Sequence, residues 1–428
     1  MKTVRVNDYS VLLSGDFPVT IYVNENIHIE NSALEEIDSF RTLPGIEFLS
    51  YSPDVHKGSG TSIGTTALID RVYPAVTGND IGCGMRFDVT SLDKLEITPE
   101  LISKIRHTFF EGGRDVHVKD KRDVLSYGIE AELFGKSVEC IPKKNSSHSG
   151  GSLGAGDVAS ILESYHLNTG TRDNFLGSIG GGNHFVEIQQ VETIVDKVAA
   201  WKYGLKVGSY CIMSHSGSLD LGHAVGNYYK DLSKKLHTGK YPKHGYFSLD
   251  DKNGLEYIKA SYNAANFATV NRAVMASMLA TVLDTELSSV YDSPHNLIWL
   301  ENEKFLHRKG SCPADVNELV MIPGSMGTPS CIALGQGFNG TYKSSAHGAG
   351  RVLNRGAGRL AKLDSDIIVV TKIDPTNVRA DIAKELAKNL AEESPSVYKD
   401  IREVISTSES AGIIKPIAWM KPILTIKG

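Results

Sequence analysis

Asp80 and Cys83 stand three positions apart in Gly78-Asn79-Asp80-Ile81-Gly82-Cys83-Gly84. A carboxylate and a thiol at that spacing can serve one metal ion, and the glycines around them let the backbone turn tightly enough for both to converge. Two protein ligands seldom hold a transition metal, so the remainder must come from elsewhere in the chain. Four histidines stand in suggestive contexts: His184 after Gly180-Gly181-Gly182-Asn183, His215 at the head of His215-Ser216-Gly217-Ser218, His295 in Pro294-His295-Asn296, and His347 at the head of His347-Gly348-Ala349-Gly350-Arg351. Each singly reads better as a hydrogen-bonding loop histidine. Together with Asp80 and Cys83 they form a candidate set. A Cys/Asp/His mixture suits a borderline cation such as Zn²⁺ or Mn²⁺. One thiolate has lone pairs enough to bridge two ions, with Asp80, Cys83 and one histidine on the first and Cys83 with two histidines on the second. Paired cations are a recurrent clamp for phosphoryl chemistry.

A phosphate side is also present. Pro323-Gly324-Ser325-Met326-Gly327-Thr328 follows an apolar run, and glycine-hydroxyl loops of this kind offer backbone N–H groups to phosphate oxygens. It lacks the Gly-Lys-Ser/Thr ending of a Walker A loop. Arg308 and Lys309 add cations. His347, Arg351, Arg355 and Arg359 are spaced by four, which would align them on one helical face; Gly348, Gly350, Gly356 and Gly358 weigh against that helix, and the alternative is an exposed basic stripe.

The elements that position these residues are those of a mixed α/β protein with one large core. Ser32 with Glu35 has the form of a capping box opening a helix over Ala33–Phe40. Thr98-Pro99-Glu100 reads as a cap, a first-turn proline and an acidic first turn. Phe267, Val270, Val274, Met278 and Val282 repeat at helical spacing, predicting a long helix from about Leu255 to Leu287. Asn263, Asn266, Asn271 and Arg272 on it read as a solvated face. Short strands are expected at Ile21–Val23, Tyr210–Met213, Leu319–Ile322 and Ile367–Thr371, helices at Ala380–Glu393 and Ser396–Ser406, and an extended tail from Ile414 to Gly428. The stretch 139–156 reads as a flexible surface loop.

The bulk numbers narrow the function class. A chain of 428 residues that is 41% hydrophobic supports a substantial core, and no linker, charge block or repeat divides it, so a single domain over 1–428 is expected. The net charge of −5 gives no global sign of nucleic-acid binding, leaving only a local basic groove. The N-terminus has no apolar core of a signal peptide, and apolar runs fall short of the roughly 18 residues that span a bilayer. Five dispersed cysteines do not read as a disulfide framework. A cytoplasmic protein is expected.

The motifs resemble one family. Residues 53–60 (PDVHKGSG), 78–85 (GNDIGCGM), 180–185 (GGGNHF), 215–218 (HSGS), 295–296 (HN), 307–310 (HRKG), 322–328 (IPGSMGT), 347–351 (HGAGR) and the final Lys427-Gly428 are similar, in that order, to the RtcB family of GTP-dependent RNA ligases, from about residue 45 to the C-terminus. The resemblance implies an α/β domain of the family's own type, built around a dinuclear metal cleft. It implies joining of RNA 3′-phosphate or 2′,3′-cyclic phosphate ends to 5′-hydroxyl ends in RNA repair or tRNA splicing, with GTP and two Mn²⁺ ions (Zn²⁺ fits the same ligands). It assigns His347 as the guanylylated nucleophile, Asp80, Cys83 and His184 as the first metal site, and Cys83, His215 and His295 as the second. Nucleotide contacts fall on Asn183, Glu187, Pro323, Gly324, Ser325, Met326, Gly327, Gly348, Ala349, Gly350, Arg351 and Lys427; phosphate or RNA contacts fall on Lys309, Arg351 and Arg355. Some family members use a helper protein; a monomer is expected here.

One position departs from the pattern. The family usually continues HSGS with arginine, and here Leu219 and then Asp220 follow. Loss of a charge-assisted hydrogen bond costs about 1.5–3 kcal/mol, so either another cation compensates or the substrate is narrower or altered, and a specialised repair paralogue acting on structured RNA is expected. Two other function classes stand beside ligation. A dinuclear phosphatase or cyclic phosphodiesterase needs the metal ligands but not His347, and an RNA-end binding protein needs no turnover.

Overall fold

The structure is a computed structural model that describes residues 3–113, 115–117, 131–133, 136–140, 176–237, 244–362 and 367–428. Most of the loop expected at 139–156 lies outside these residues. Two sheets carry the architecture, confirming the mixed α/β class. The larger is eight-stranded and contains β1 (Gly84–Thr90), β2 (Phe185–Ile194), β3 (Tyr210–Ser216), β4 (Leu287–Pro294), β5 (Leu319–Ile322), β6 (Ser330–Gly335), β7 (Val369–Thr371) and β8 (Ile414–Lys427). Its spatial order is β4-β1-β3-β2-β8-β6-β5, with β7 pairing in parallel on β8. A seven-stranded sheet runs from the N-terminal strands through Ile46–His56 and Ile63–Ile69 to Lys304–Lys309 and Asn296–Glu301.

Strand β3 shows why the large sheet is buried on both faces. Ile212 joins one hydrophobic cluster with Val186, Ile188, Leu424 and Ile426, while Cys211 and Met213 join a second with Met85, Phe87 and Met420. Successive side chains point to opposite faces, so the apolar run Tyr210–Met213 requires cover on both. The extended tail predicted at the C-terminus is β8, which pairs with both β2 and β6. Its prolines, Pro422 and Pro416, sit where the register shifts, the positions at which a sheet tolerates a missing donor.

Helix α1 (Leu219–Leu236) and the 31-residue α2 (Lys252–Val282) pack together, and α2 also packs against β3. The long helix stops at Val282, and Leu287 already begins β4. Its polar residues correct the expectation of a solvated face: Asn263, Asn266, Asn271 and Arg272 are all buried. The helix Asn31–Phe40 is likewise not opened by a capping box, since Glu30 takes the N-cap position and no side chain caps it. The Thr98 cap holds, its hydroxyl accepting from the Leu101 N–H, and Pro99 opens that helix. The C-terminal helices span Ala380–Ala391 and Ile401–Ser410, with a 3₁₀ turn at Pro395–Val397. The first of the four expected strands falls at Val19–Ile21, and the last is confined to Val369–Thr371. Among the described residues, no helix is long and apolar enough to cross a membrane.

Candidate metal and nucleotide site

Antiparallel pairing brings the candidate ligands together. β1 and β2 begin, and β3 and β4 end, at the same edge of the sheet: Met85 lies opposite both His215 and Ser293, and Phe185 lies opposite His215. Cys83 and His184 immediately precede β1 and β2, His215 is the penultimate residue of β3, and His295 follows β4. Asp80, Cys83 and His184 form one potential metal group; Cys83, His215 and His295 form another. Cys83 is common to both, as a bridging thiolate requires. Its Sγ lies 3.3 Å from His184 Nε2 and 3.2 Å from His215 Nε2; His184 Nε2 is 2.9 Å from Asp80 Oδ2, and His215 and His295 present Nε2 atoms 3.3 Å apart.

The protonation pattern fits cations. His184 Nδ1 donates to the Ile179 carbonyl and His215 Nδ1 to the Asn183 carbonyl, at 3.1 and 3.2 Å. A carbonyl can only accept, so both rings carry a proton on Nδ1, and in the neutral form each aims an Nε2 lone pair inward. Burial, with neighbouring histidine charge, holds His215 and His295 well below the usual imidazole range, which keeps them in the neutral form that ligates. Burial would raise the Asp80 carboxyl, but His184 beside it brings it down to about 2. Burial and then Asp80 push the Cys83 thiol up, a preference that a coordinated cation reverses. Lone pairs converging at these distances repel one another unless a cation lies among them.

Arg272, expected on a solvated face, braces this cluster. Fully buried, it donates to the carbonyls of Gly82 and Ser216, both at 2.9 Å, and forks onto Asp292 at 2.8 and 2.6 Å. It thereby ties the Cys83 loop to the His215 strand. Asn271 adds bonds to the Ser178 carbonyl, the Ser216 hydroxyl and the Gly177 N–H. The signal was available: a long helix apolar around most of its circumference is a buried one, and its polar residues then need internal partners. Gly217 has an equally local cause, because a Cβ there would strike the Asp80 carboxylate.

His347 stands beside the cluster, its ring 4.7 Å from that of His295. Its Nδ1 and its backbone N–H both donate to Asp54 Oδ2, at 2.6 and 3.1 Å. Asp54 is fully buried and also accepts from the Ser52 hydroxyl at 2.5 Å. Burial would raise its pKa, but His347 and these hydrogen bonds hold it below the usual carboxylate range. An anionic acceptor on Nδ1 leaves the Nε2 lone pair of His347 free. Asp54 reaches this position through a bulge: pairing between Ile46–His56 and Ile63–Ile69 jumps from Tyr51↔Thr65 to His56↔Ile63, and bulges re-aim side chains beside active sites. Lys399 ties the bulge down through the carbonyls of Pro53 and Val55. Gly350 packs so tightly on Asp54 that any Cβ would collide with its backbone.

A cavity of about 610 Å³ opens over both groups. Of the predicted residues, Asp80, Asn183, Glu187, His215, Lys309, Pro323, Gly324, Ser325, Met326, His347, Gly348, Ala349, Gly350, Arg351 and Lys427 line it. Gly327 closes the turn with a φ of 89° and is outside the lining, and Arg355 begins the short helix Arg355–Gly358. That helix does not reach back to His347 or Arg351, so the predicted four-residue stripe does not form. Arg308 is also not a cavity cation: it is buried beneath Trp299 and donates to Ser344. Arg351 Nη1 donates to Glu393 and Tyr398, while Nη2 is buried without a partner among the described residues, leaving a donor for an anion. Glu187 accepts from Thr425 and Gln189, at 2.5 and 2.6 Å, and burial raises its pKa. Lys427 donates to the Gly182 carbonyl. Phe185, Glu393, Tyr398 and Thr425 also line the cavity and were not singled out in the sequence. Neither was Asp54, although it stands in the Pro53–Gly60 motif. Leu219 is not in the lining either; it packs towards Gly180 with a φ of 52°.

Comparison with known proteins agrees with this geometry. The family described as tRNA-splicing ligase RtcB matches residues 36–428. The chain belongs to the RtcB family. Relatives include the RNA-splicing ligase RtcB2 of Escherichia coli, 30% identical over 411 residues covering 94% of each chain. The RNA-splicing ligase RtcB of Mycobacterium tuberculosis is 31% identical over 450 residues, covering 92% of this chain and all of its own. The RNA-splicing ligase RtcB homolog 1 of Entamoeba histolytica is 30% identical over 93% of this chain and 84% of its own. The RtcB match begins within the helix Asn31–Phe40, so the strands before it lie outside the matched region.

Proposed function

We propose that this RtcB-family protein is an RNA ligase that joins a 3′-phosphate or 2′,3′-cyclic phosphate end to a 5′-hydroxyl end, using GTP. The observation that carries the reading is the Asp54–His347 pair beside a cluster with two ligand groups. A hydrolase built on that cluster has no use for a buried carboxylate that fixes the tautomer of a neighbouring histidine; a nucleophile does. His347 Nε2 attacks the α-phosphorus of GTP, the N–P bond forms, and pyrophosphate leaves. Asp54 stabilises the positive charge that develops on the ring. Arg351 and Lys309 bind phosphate oxygens, and Glu187 and Lys427 face the nucleotide. A cyclic end is first opened by water, which breaks the bond to O2′ and leaves a 3′-phosphate; the histidine-bound GMP then passes to the RNA 3′-phosphate, giving an RNA-(3′)pp(5′)G end. The 5′-hydroxyl attacks that end, a phosphodiester forms, and GMP leaves. Two Mn²⁺ ions, held by Asp80, Cys83 and His184 and by Cys83, His215 and His295, would supply charge neutralisation at phosphorus and Lewis acidity.

The test is incubation with Mn²⁺ and α-labelled GTP. A covalent label that is acid-labile and alkali-stable, and absent from His347→Ala, is the expected result. Release of inorganic phosphate from RNA ends without a label would identify a phosphatase or phosphodiesterase instead, and binding without either would identify an RNA-end binding protein.

A further inference from the structure

His56 ends the strand Ile46–His56, is 8% exposed and lines the cavity. Its Nδ1 lies 2.7 Å from the Asp54 carbonyl. That oxygen can only accept, so the proton of the neutral ring is on Nδ1 and Nε2 carries a lone pair. Among the described residues Nε2 has no hydrogen-bond partner. Asp54 thus holds two imidazoles at once: His347 through its carboxylate and His56 through its backbone. Burial keeps the His56 ring uncharged, pushing its pKa down to about 3. A neutral ring with a free Nε2 lone pair can accept but not donate there, so it repels phosphate oxygens, which Lys309 and Arg351 are suited to bind. It matches a ligand that brings a proton. Resting on the ligase reading, we infer that His56 Nε2 receives a sugar hydroxyl of a substrate and so positions it beside His347. Two substrates carry such a group: the ribose of the nucleotide and the 5′-terminal sugar of the RNA. His56 orients the hydroxyl and takes no part in removing its proton.

The experiment separates the steps in the full-length protein with Mn²⁺. His56→Phe keeps the ring volume and removes the acceptor; His56→Gln returns an oxygen near the Nε2 position. Covalent labelling is followed with GTP and with its 2′-deoxy and 3′-deoxy analogues. Sealing is followed in single turnover, using an RNA already carrying the 3′-guanylate and a 5′-hydroxyl strand. If the 5′-hydroxyl is the ligand, His56→Phe slows sealing at least tenfold, leaves labelling within about threefold of wild type, and His56→Gln recovers most of the loss. If the nucleotide ribose is the ligand, labelling with GTP falls at least tenfold, and the deficit vanishes with the analogue lacking the bound hydroxyl. Wild-type rates for His56→Phe in both steps overturn the assignment. So does an equal loss in both steps without rescue by glutamine, which marks His56 as only a strut for Asp54. A wild-type protein that neither labels nor seals removes the ligase reading, and this assignment with it.

Discussion

Replacing Asp54 with asparagine changes one charge and little else. The amide oxygen of the new side chain can take the place of Oδ2 and accept both N–H groups of His347. Its NH₂ then faces the Ser52 hydroxyl, which can turn its own proton to the Gly64 carbonyl, 3.2 Å away. Tautomer and ring orientation survive. The lost quantity is the attraction between the carboxylate and the imidazolium that forms when Nε2 bonds to phosphorus. With charge centres about 4 Å apart and an effective dielectric constant of about 20, that attraction is about 4 kcal/mol, or close to 10³ in rate. The assay is the rate of covalent labelling by α-labelled GTP at saturating Mn²⁺, with thermal melting to confirm that the variant is folded. A slowing of about 10³ with little change in melting temperature is expected. Labelling within fivefold of wild type in a folded Asp54→Asn protein would refute the reasoning and leave Asp54 a structural carboxylate.

Four further outcomes follow from the same geometry. Cys83→Ala should remove both ions together, because each potential site then keeps two protein ligands; elemental analysis after gel filtration measures it. Arg272→Met leaves Asp292 as a buried, unpaired carboxylate and should destabilise the protein by about 3–5 kcal/mol; denaturant unfolding checks this, and adding Asp292→Asn should restore part of it. Burial pulls the Lys309 ammonium down to about 8, so affinity for phosphate-ended RNA should fall as pH rises through 8, and Lys309→Arg should abolish the dependence. The same shift means that the folded protein releases this proton before the unfolded chain does, at about 10.4, so the residue's contribution to stability should rise between those values. Leu219→Arg should broaden the range of RNA ends joined; unchanged ligation of generic ends would contradict a specialised substrate.

Part of the site was legible because its residues announce themselves by type and setting. Asp80, Cys83, His184, His215, His295 and His347 are polar residues beside turn-forming glycines and prolines; the structure gathers the first five at one edge of one sheet and sets His347 beside them. Asp54 and His56 were not assigned roles, since an Asp and a His two positions apart in a strand gain a function only from the residue they face, and His347 is 293 positions away from Asp54. Arg272 was misread for a related reason. Helical spacing says which residues share a stripe but not what lies opposite, and the stripe of Asn271 and Arg272 faces carbonyls of the ligand loops instead of water. The stripe from His347 to Arg359 failed because glycines at 348, 350, 356 and 358 withhold the helix that the spacing of four requires.

By itself the sequence determined the candidate ligand set, the mixed α/β class and the family resemblance, because these depend on residue types and local spacing. The tertiary structure decided the rest. Strand pairing set which ends share an edge, so Asp80, Cys83, His184, His215 and His295 meet only once four strands are in register. The bulge at Ser52–Val55 aimed Asp54 at His347, and burial fixed which imidazole nitrogens keep a lone pair. Those are properties of distances between residues remote in the chain, which local spacing does not contain.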